Sequence, residues 1–87
     1  MPGLRIERIV SHGQASPPGV WYEQDWDEWV MVLQGRAMLQ IEGKQERVTL
    51  QKGDHYWLPA GCRHRVAFTA NNEATIWLAV HRDKARR

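Results

Sequence analysis

The most informative stretch of this sequence ends in a histidine: Gly53-Asp54-His55-Tyr56-Trp57-Leu58-Pro59-Ala60-Gly61-Cys62-Arg63-His64. As a pattern it is G-x5-P-x-G-x2-H, a strand, a tight turn and a histidine opening the next strand. Gly53 permits a turn, Pro59 ends strand pairing because it lacks an N–H, and Gly61 admits the positive φ of a sharp reversal. His64, Val66 and Phe68 then share one face, which is expected to be interior because the opposite face carries Arg63 and Arg65. An imidazole among apolar neighbours needs a hydrogen bond or a metal. Upstream stands a carboxylate, Glu28, followed by Trp29 and, six residues on, by Gly35. Within one enclosed space Glu28 and His64 have three chemical uses: holding a divalent ion, hydrogen-bonding a polar ligand, or pairing with each other.

Other reactive side chains carry weaker messages. Cys62 lies two residues from His64, but that spacing along a strand supplies no hydrogen-bonded base, so a packed small residue is expected rather than an activated thiol. Glu23, Asp25 and Asp27 suit a solvated rim loop; the alternative is a trap for a cationic ligand, aided by Trp21, Tyr22 and Trp26 through cation–π contact. Gly-x-Ser-x-Gly, a phosphate-cradling glycine loop and a Cys-x2-Cys pair are all missing from the sequence.

The elements that must position these groups read as strands. Short apolar or alternating runs occur at 4–10, 20–22, 29–33, 37–41, 48–50, 55–58, 65–68 and 75–80, with Gly, Pro or Asn about every ten residues. Seven or eight short strands without helical periodicity predict an all-β barrel or sandwich. Glu28, Val30 and Val32 share one face of their strand, and Trp29, Met31 and Leu33 the other; the segment from Thr75 to Val80 is likewise apolar on both faces. Such strands need cover on both sides. The interior supplies one cover; the other comes either from the N-terminal strand or from a second subunit, and a homodimer is expected. Either Tyr56 or Trp57 is expected to face the cavity. Trp29, Trp57 and Trp77 are expected to fill the core.

Composition narrows the classes further. Eighty-seven residues with 43% hydrophobic and 25% charged make one thin-cored globular domain over 1–87, with a basic tail from about 82 to 87. Twelve Lys plus Arg against ten Asp plus Glu give a net charge of +2, too slight to indicate a nucleic-acid partner. One cysteine leaves no internal disulfide, and the apolar runs fall short of a membrane helix; a cytoplasmic protein without a membrane partner is expected.

Together, the segment Glu28 to Gly35 and the segment Gly53 to His64 resemble the two sequence motifs of the cupin superfamily. The family's first motif reads G-x5-H-x-H-x3-4-E-x6-G, and its right-hand half is present here; the second motif's terminal Asn is replaced by Phe68. The resemblance covers about residues 19–68. It implies a double-stranded β-helix, a jelly-roll barrel that is often dimeric. It also implies a divalent metal held by two histidines and the glutamate of the first motif and the histidine of the second. Glu28 and His64 carry over directly, whereas the two first-motif histidines are absent. Counting back from Glu28 puts Tyr22 and Gln24 at their places; counting forward from Gly19 puts Asp25 and Asp27 there. The strand-held count from Glu28 is the firmer, giving Gln24, Glu28 and His64 as candidate metal ligands, with Tyr22 beside them.

That donor mix suits Mn²⁺, Fe²⁺, Ni²⁺ or Zn²⁺ without selecting among them. His12, His55 or His81 adds a ligand if the fold turns it inward. Tyr22, Tyr56, Trp57 and Phe68 are candidates for lining the cavity. The expectation is a small cupin with a small-molecule cavity, binding a divalent metal through His64, Glu28 and Gln24. The alternative is a metal-free binding or sensing module using the same cavity, and a third reading is an interaction domain using the outer apolar face. Whether the protein is an enzyme is left open.

Overall fold

The structure, a computed structural model, describes residues 3–83. The part of the expected basic tail from Lys84 to Arg87 lies outside the described residues. Seven strands follow one another: β1 (Leu4–Ser11), β2 (Asp27–Gln34), β3 (Arg36–Ile41), β4 (Val48–Gln51), β5 (His55–Leu58), β6 (His64–Thr69) and β7 (Thr75–Arg82). They form two antiparallel sheets, one in the order β1-β7-β2-β5 and the other β4-β3-β6. This is the jelly-roll barrel of the double-stranded β-helix. No helix among the described residues is long and apolar enough to cross a membrane.

The alternation of side chains decides what is inside. On β2, Glu28, Val30 and Val32 are buried; on β7, Thr75, Trp77, Ala79 and His81 are. With Ala37, Leu39 and Ile41 of β3, Leu50 of β4 and Leu58 of β5 they form the space between the sheets. Only Trp77 of the three expected core tryptophans is buried. Trp29 and Trp57 are register partners on the outer face, and Trp57 is 46% exposed. The pleat explains the correction, because Glu28 and Leu58, their neighbours, already occupy the inward positions.

The segment 20–22 does not form a strand of its own. Tyr22 makes an isolated antiparallel bridge to His64, as part of a connector, residues 12–26, that runs along the free edge of β6. Pro17 to Val20 is a tight turn in which the Val20 N–H donates to the Pro17 carbonyl at 3.1 Å. Pro18 presets the first central φ, and Gly19 at φ 77° supplies the positive one that a type II turn requires. Where β2 crosses into β3, Gly35 has a different reason to be glycine. A Cβ there would lie 2.5 Å from Thr75 Oγ1 and 2.7 Å from Thr75 Cα.

Candidate functional site

Glu28 and His64 line one cavity. It lies between the sheets, has a volume of about 130 Å³, and receives side chains from six strands. Ile9 and Ser11 of β1, Val30 of β2, Leu39 of β3, Leu58 of β5, Val66 of β6 and Trp77 of β7 complete its wall. The polar groups are thus one carboxylate, one imidazole and one hydroxyl in a largely hydrocarbon surround. No Lys or Arg among the described residues lines it.

His64 is placed by the connector and by the turn before it. Tyr22 and His64 exchange backbone bonds, N to O at 2.8 Å and 3.0 Å, and the Gly61 N–H donates to the Gln24 carbonyl at 2.7 Å. The turn that Gly61 permits, with φ 81°, closes when the Cys62 N–H donates to the Pro59 carbonyl. The Ala60 N–H donates to Asp27 Oδ1 at 2.9 Å, which ties this turn to the start of β2. His64 Nδ1 lies 3.1 Å from the Cys62 carbonyl oxygen. A carbonyl only accepts, so Nδ1 carries the proton and Nε2 keeps the lone pair. His64 itself is buried, 7% exposed.

Glu28 is 8% exposed and makes no hydrogen bond or ion pair with any described residue. It does not pair with His64, so the hydrogen-bonded couple considered as one use of these groups is not formed. Ser11 and Trp77 do interact: the Trp77 indole N–H donates to Ser11 Oγ at 3.2 Å. The cavity therefore presents two unengaged acceptors, a carboxylate and an imidazole nitrogen.

The other candidate residues lie elsewhere. Gln24 is half-buried beside the turn and engages it through its backbone carbonyl; its side chain is not part of the cavity wall. Tyr22 is 46% exposed, with its ring 6.1 Å from that of His64, and lines a neighbouring recess with Ser11 and Val66 rather than the cavity itself. Tyr56 faces inward opposite Val30, but it packs against the core rather than the cavity, and the Lys44 ammonium stands 5.8 Å over its ring. Trp57 faces outward under the Arg82 guanidinium.

Phe68 is displaced by a register shift. Leu39 pairs with Val66 but Met38 with Phe68, which leaves Ala67 as an extra residue in β6. The bulge reverses the alternation, so Thr69 turns inward and Phe68 outward, beneath Arg36 at 5.3 Å. The expected His64–Val66–Phe68 face thus ends at Val66.

Among the remaining histidines, His12 and His55 are exposed, and the His55 ring lies 5.6 Å from that of Trp29 on the outer face. His81 is buried and faces Glu28 across the β2–β7 pairing. Its Nδ1 accepts from the Trp26 indole N–H at 2.8 Å, and its Nε2 lies 3.5 Å from Glu7 Oε1. The alternation of Thr75, Trp77 and Ala79, extended by two residues, would have found it. Ile9 and Ser11 were less legible, because β1 mixes charges and aliphatics on both faces. Around Cys62, burial and, to a lesser extent, the Glu42 carboxylate raise the thiol above its ordinary pKa, against a smaller opposing effect of Lys44. A thiol so shifted is less ionised at neutral pH and is not an activated nucleophile.

These donors fall short of a resident metal centre. Catalytic sites of transition ions keep about three protein ligands. Here the cavity supplies two, and no cluster of three His, Cys, Asp or Glu side chains able to hold an ion occurs among the described residues.

The chain belongs to the cupin superfamily, whose cupin-domain model matches residues 7–81. Among solved structures it is similar to a candidate mannose-6-phosphate isomerase from Ralstonia eutropha JMP134. The two are 54% identical with a TM-score of 0.93, over 97% of this chain and 78% of that one. A cupin protein from Bacteroides fragilis is 17% identical with a TM-score of 0.76, over all of this chain and 71% of that one. The EutQ protein of Clostridium difficile is 17% identical with a TM-score of 0.72, over 94% of this chain but only 58% of its own length. The latter two likenesses speak to the fold alone.

Proposed function

We propose that this small cupin is a metal-free binding module whose small organic ligand occupies the cavity between Glu28 and His64. The observation that carries the reading is the carboxylate of Glu28, which lines a largely hydrocarbon cavity without a hydrogen-bond partner among the described residues, beside an imidazole whose one ring nitrogen is already engaged. Its oxygens keep access to solvent, so a guest with matching donors exchanges the bonds to water for bonds of its own in a site of low polarity. The name of the Ralstonia relative points to a phosphorylated sugar. A wall without Lys or Arg and a volume of about 130 Å³ speak against that substrate here.

One observation favours the metal reading with Gln24, Glu28 and His64: an imidazole whose Nδ1–H is held by a carbonyl is oriented as metal-bound histidines are. Elemental analysis of untagged protein decides between the two. The binding-module reading expects less than a tenth of an equivalent of Mn, Fe, Ni or Zn, and no gain in Tm when these ions are added. A stoichiometric ion that disappears in His64→Ala would overturn it.

The outer face of the four-stranded sheet supports pairing with a second copy of the chain. Ile6, Val80 and Trp29 stand in register across β1, β7 and β2, as do Leu78 and Met31, and Ile6 is 62% exposed. Under a twofold axis this patch meets itself, apolar against apolar. Met31→Glu is expected to convert a dimer to monomer in sedimentation without lowering occupancy of the cavity; an unchanged sedimentation coefficient counts against the pairing.

A further inference from the structure

We infer that the ligand of this cavity is a small aliphatic amine, bound as its ammonium ion with the hydrocarbon part against the apolar wall. The inference rests on the binding reading above and specifies its chemistry. Polarity comes first. Glu28 offers a carboxylate and His64 Nε2 a lone pair, against one donor, the hydroxyl of Ser11, whose Oγ accepts the Trp77 N–H. Acceptors outnumber donors, which favours a guest that brings donors, and an ammonium brings three.

Charge selects further. The cations nearest Glu28 in the sheet are engaged elsewhere: Arg5 with Glu7 at 2.8 Å, and Arg82 with Asp27 at 2.8 Å. His81, opposite Glu28 in register, accepts from Trp26 at Nδ1, and its buried Nε2 stands 3.5 Å from Glu7 Oε1 without a hydrogen bond. Among the described residues the carboxylate has no cationic partner, which favours a cationic guest over a neutral alcohol and opposes an anion. The indole of Trp77, fixed by its bond to Ser11, adds a wall that attracts cations.

Size completes the description. A dry apolar cavity of about 150 Å³ accepts a benzene-sized guest. The about 130 Å³ available here suits an amine of four or five carbons. A bare divalent ion would answer the charge of Glu28 but leave the faces of Val30, Leu39, Leu58 and Val66 uncovered.

The test compares three guests of one shape, isobutylamine, isobutanol and isobutyrate, against the wild-type chain in amine-free buffer. Binding is read from the indole N–H resonance of Trp77, assigned by its loss in Trp77→Phe. Isobutylamine is expected to shift that resonance saturably, with an affinity at least tenfold above that of isobutanol; isobutyrate is expected to leave it in place. Glu28→Gln is expected to bring the amine down to the level of the alcohol. If the alcohol binds as tightly as the amine, the amine assignment is overturned while the cavity reading stands. Should none of the three move Trp77, both fail. Displacement of the amine by stoichiometric Zn²⁺ or Mn²⁺, lost in His64→Ala, overturns both in favour of a metal site.

Discussion

His64 and His81 occupy equivalent-looking positions, both buried and both inward-facing at a strand end, yet their hydrogen bonds give them opposite chemistry. The partner of His64 Nδ1 is a carbonyl, which forces the proton onto Nδ1. The partner of His81 Nδ1 is an indole N–H, which forces it onto Nε2. The first ring therefore reaches the cavity as an acceptor, and the second presents a donor toward Glu7. Residue type and burial are the same in the two cases, so function follows from the neighbour. One histidine is structural, closing the end of the four-stranded sheet through Trp26; the other is available to a guest.

The largest effect that separates them is thermodynamic. His81→Ala removes a buried ring and strands the Trp26 N–H, and a loss of about 3 kcal/mol in unfolding free energy is expected from denaturant titration, with isobutylamine affinity unchanged. Weakened ligand binding in that variant would erase the distinction. Glu28→Met reverses the pattern. Replacing an unpartnered buried carboxylate by a side chain of similar volume should raise stability by about 1–2 kcal/mol while abolishing amine binding. A destabilised Glu28→Met protein would mean that Glu28 serves the fold rather than a guest.

A smaller effect concerns Cys62, whose carbonyl sets the His64 tautomer. Because burial raises its thiol pKa, alkylation by iodoacetamide at pH 7.5 should run several-fold slower than for an unstructured thiol, and should keep accelerating with pH after that reference levels off. A rate equal to the reference would place the thiol in open solvent. The subtlest measurement is the most direct. Nitrogen-15 spectra of the neutral rings should show a protonated Nδ1 in His64 and a protonated Nε2 in His81, and the same tautomer in both would break the comparison.

How much of this was legible in the sequence depends on what fixes each position. Strands and turns could be read because Gly53, Pro59 and Gly61 restrict the backbone locally, and because Glu28, Val30 and Val32 alternate without interruption. Sharing of a cavity by Glu28 and His64 depends on two strands from different sheets, which the motif spacing suggested and periodicity alone would not. Phe68 was misplaced because one extra residue, Ala67, flips every side chain beyond it, and nothing in the local composition marks the bulge. Gln24 was assigned by counting along a connector, and its own side chain is not part of the cavity wall. The tautomers were beyond reach, since they depend on Cys62 and Trp26, the latter 55 residues away from His81.

The connector along β6 is fastened through main-chain atoms at Tyr22 and Gln24. Peptide groups are common to every residue, so such a seam is blind to the identities it joins. Those two places, onto which the count back from Glu28 puts the family's first-motif histidines, can thus exchange side chains without loosening the barrel. A lineage can therefore vary what this seam shows to solvent while its scaffold stays intact throughout.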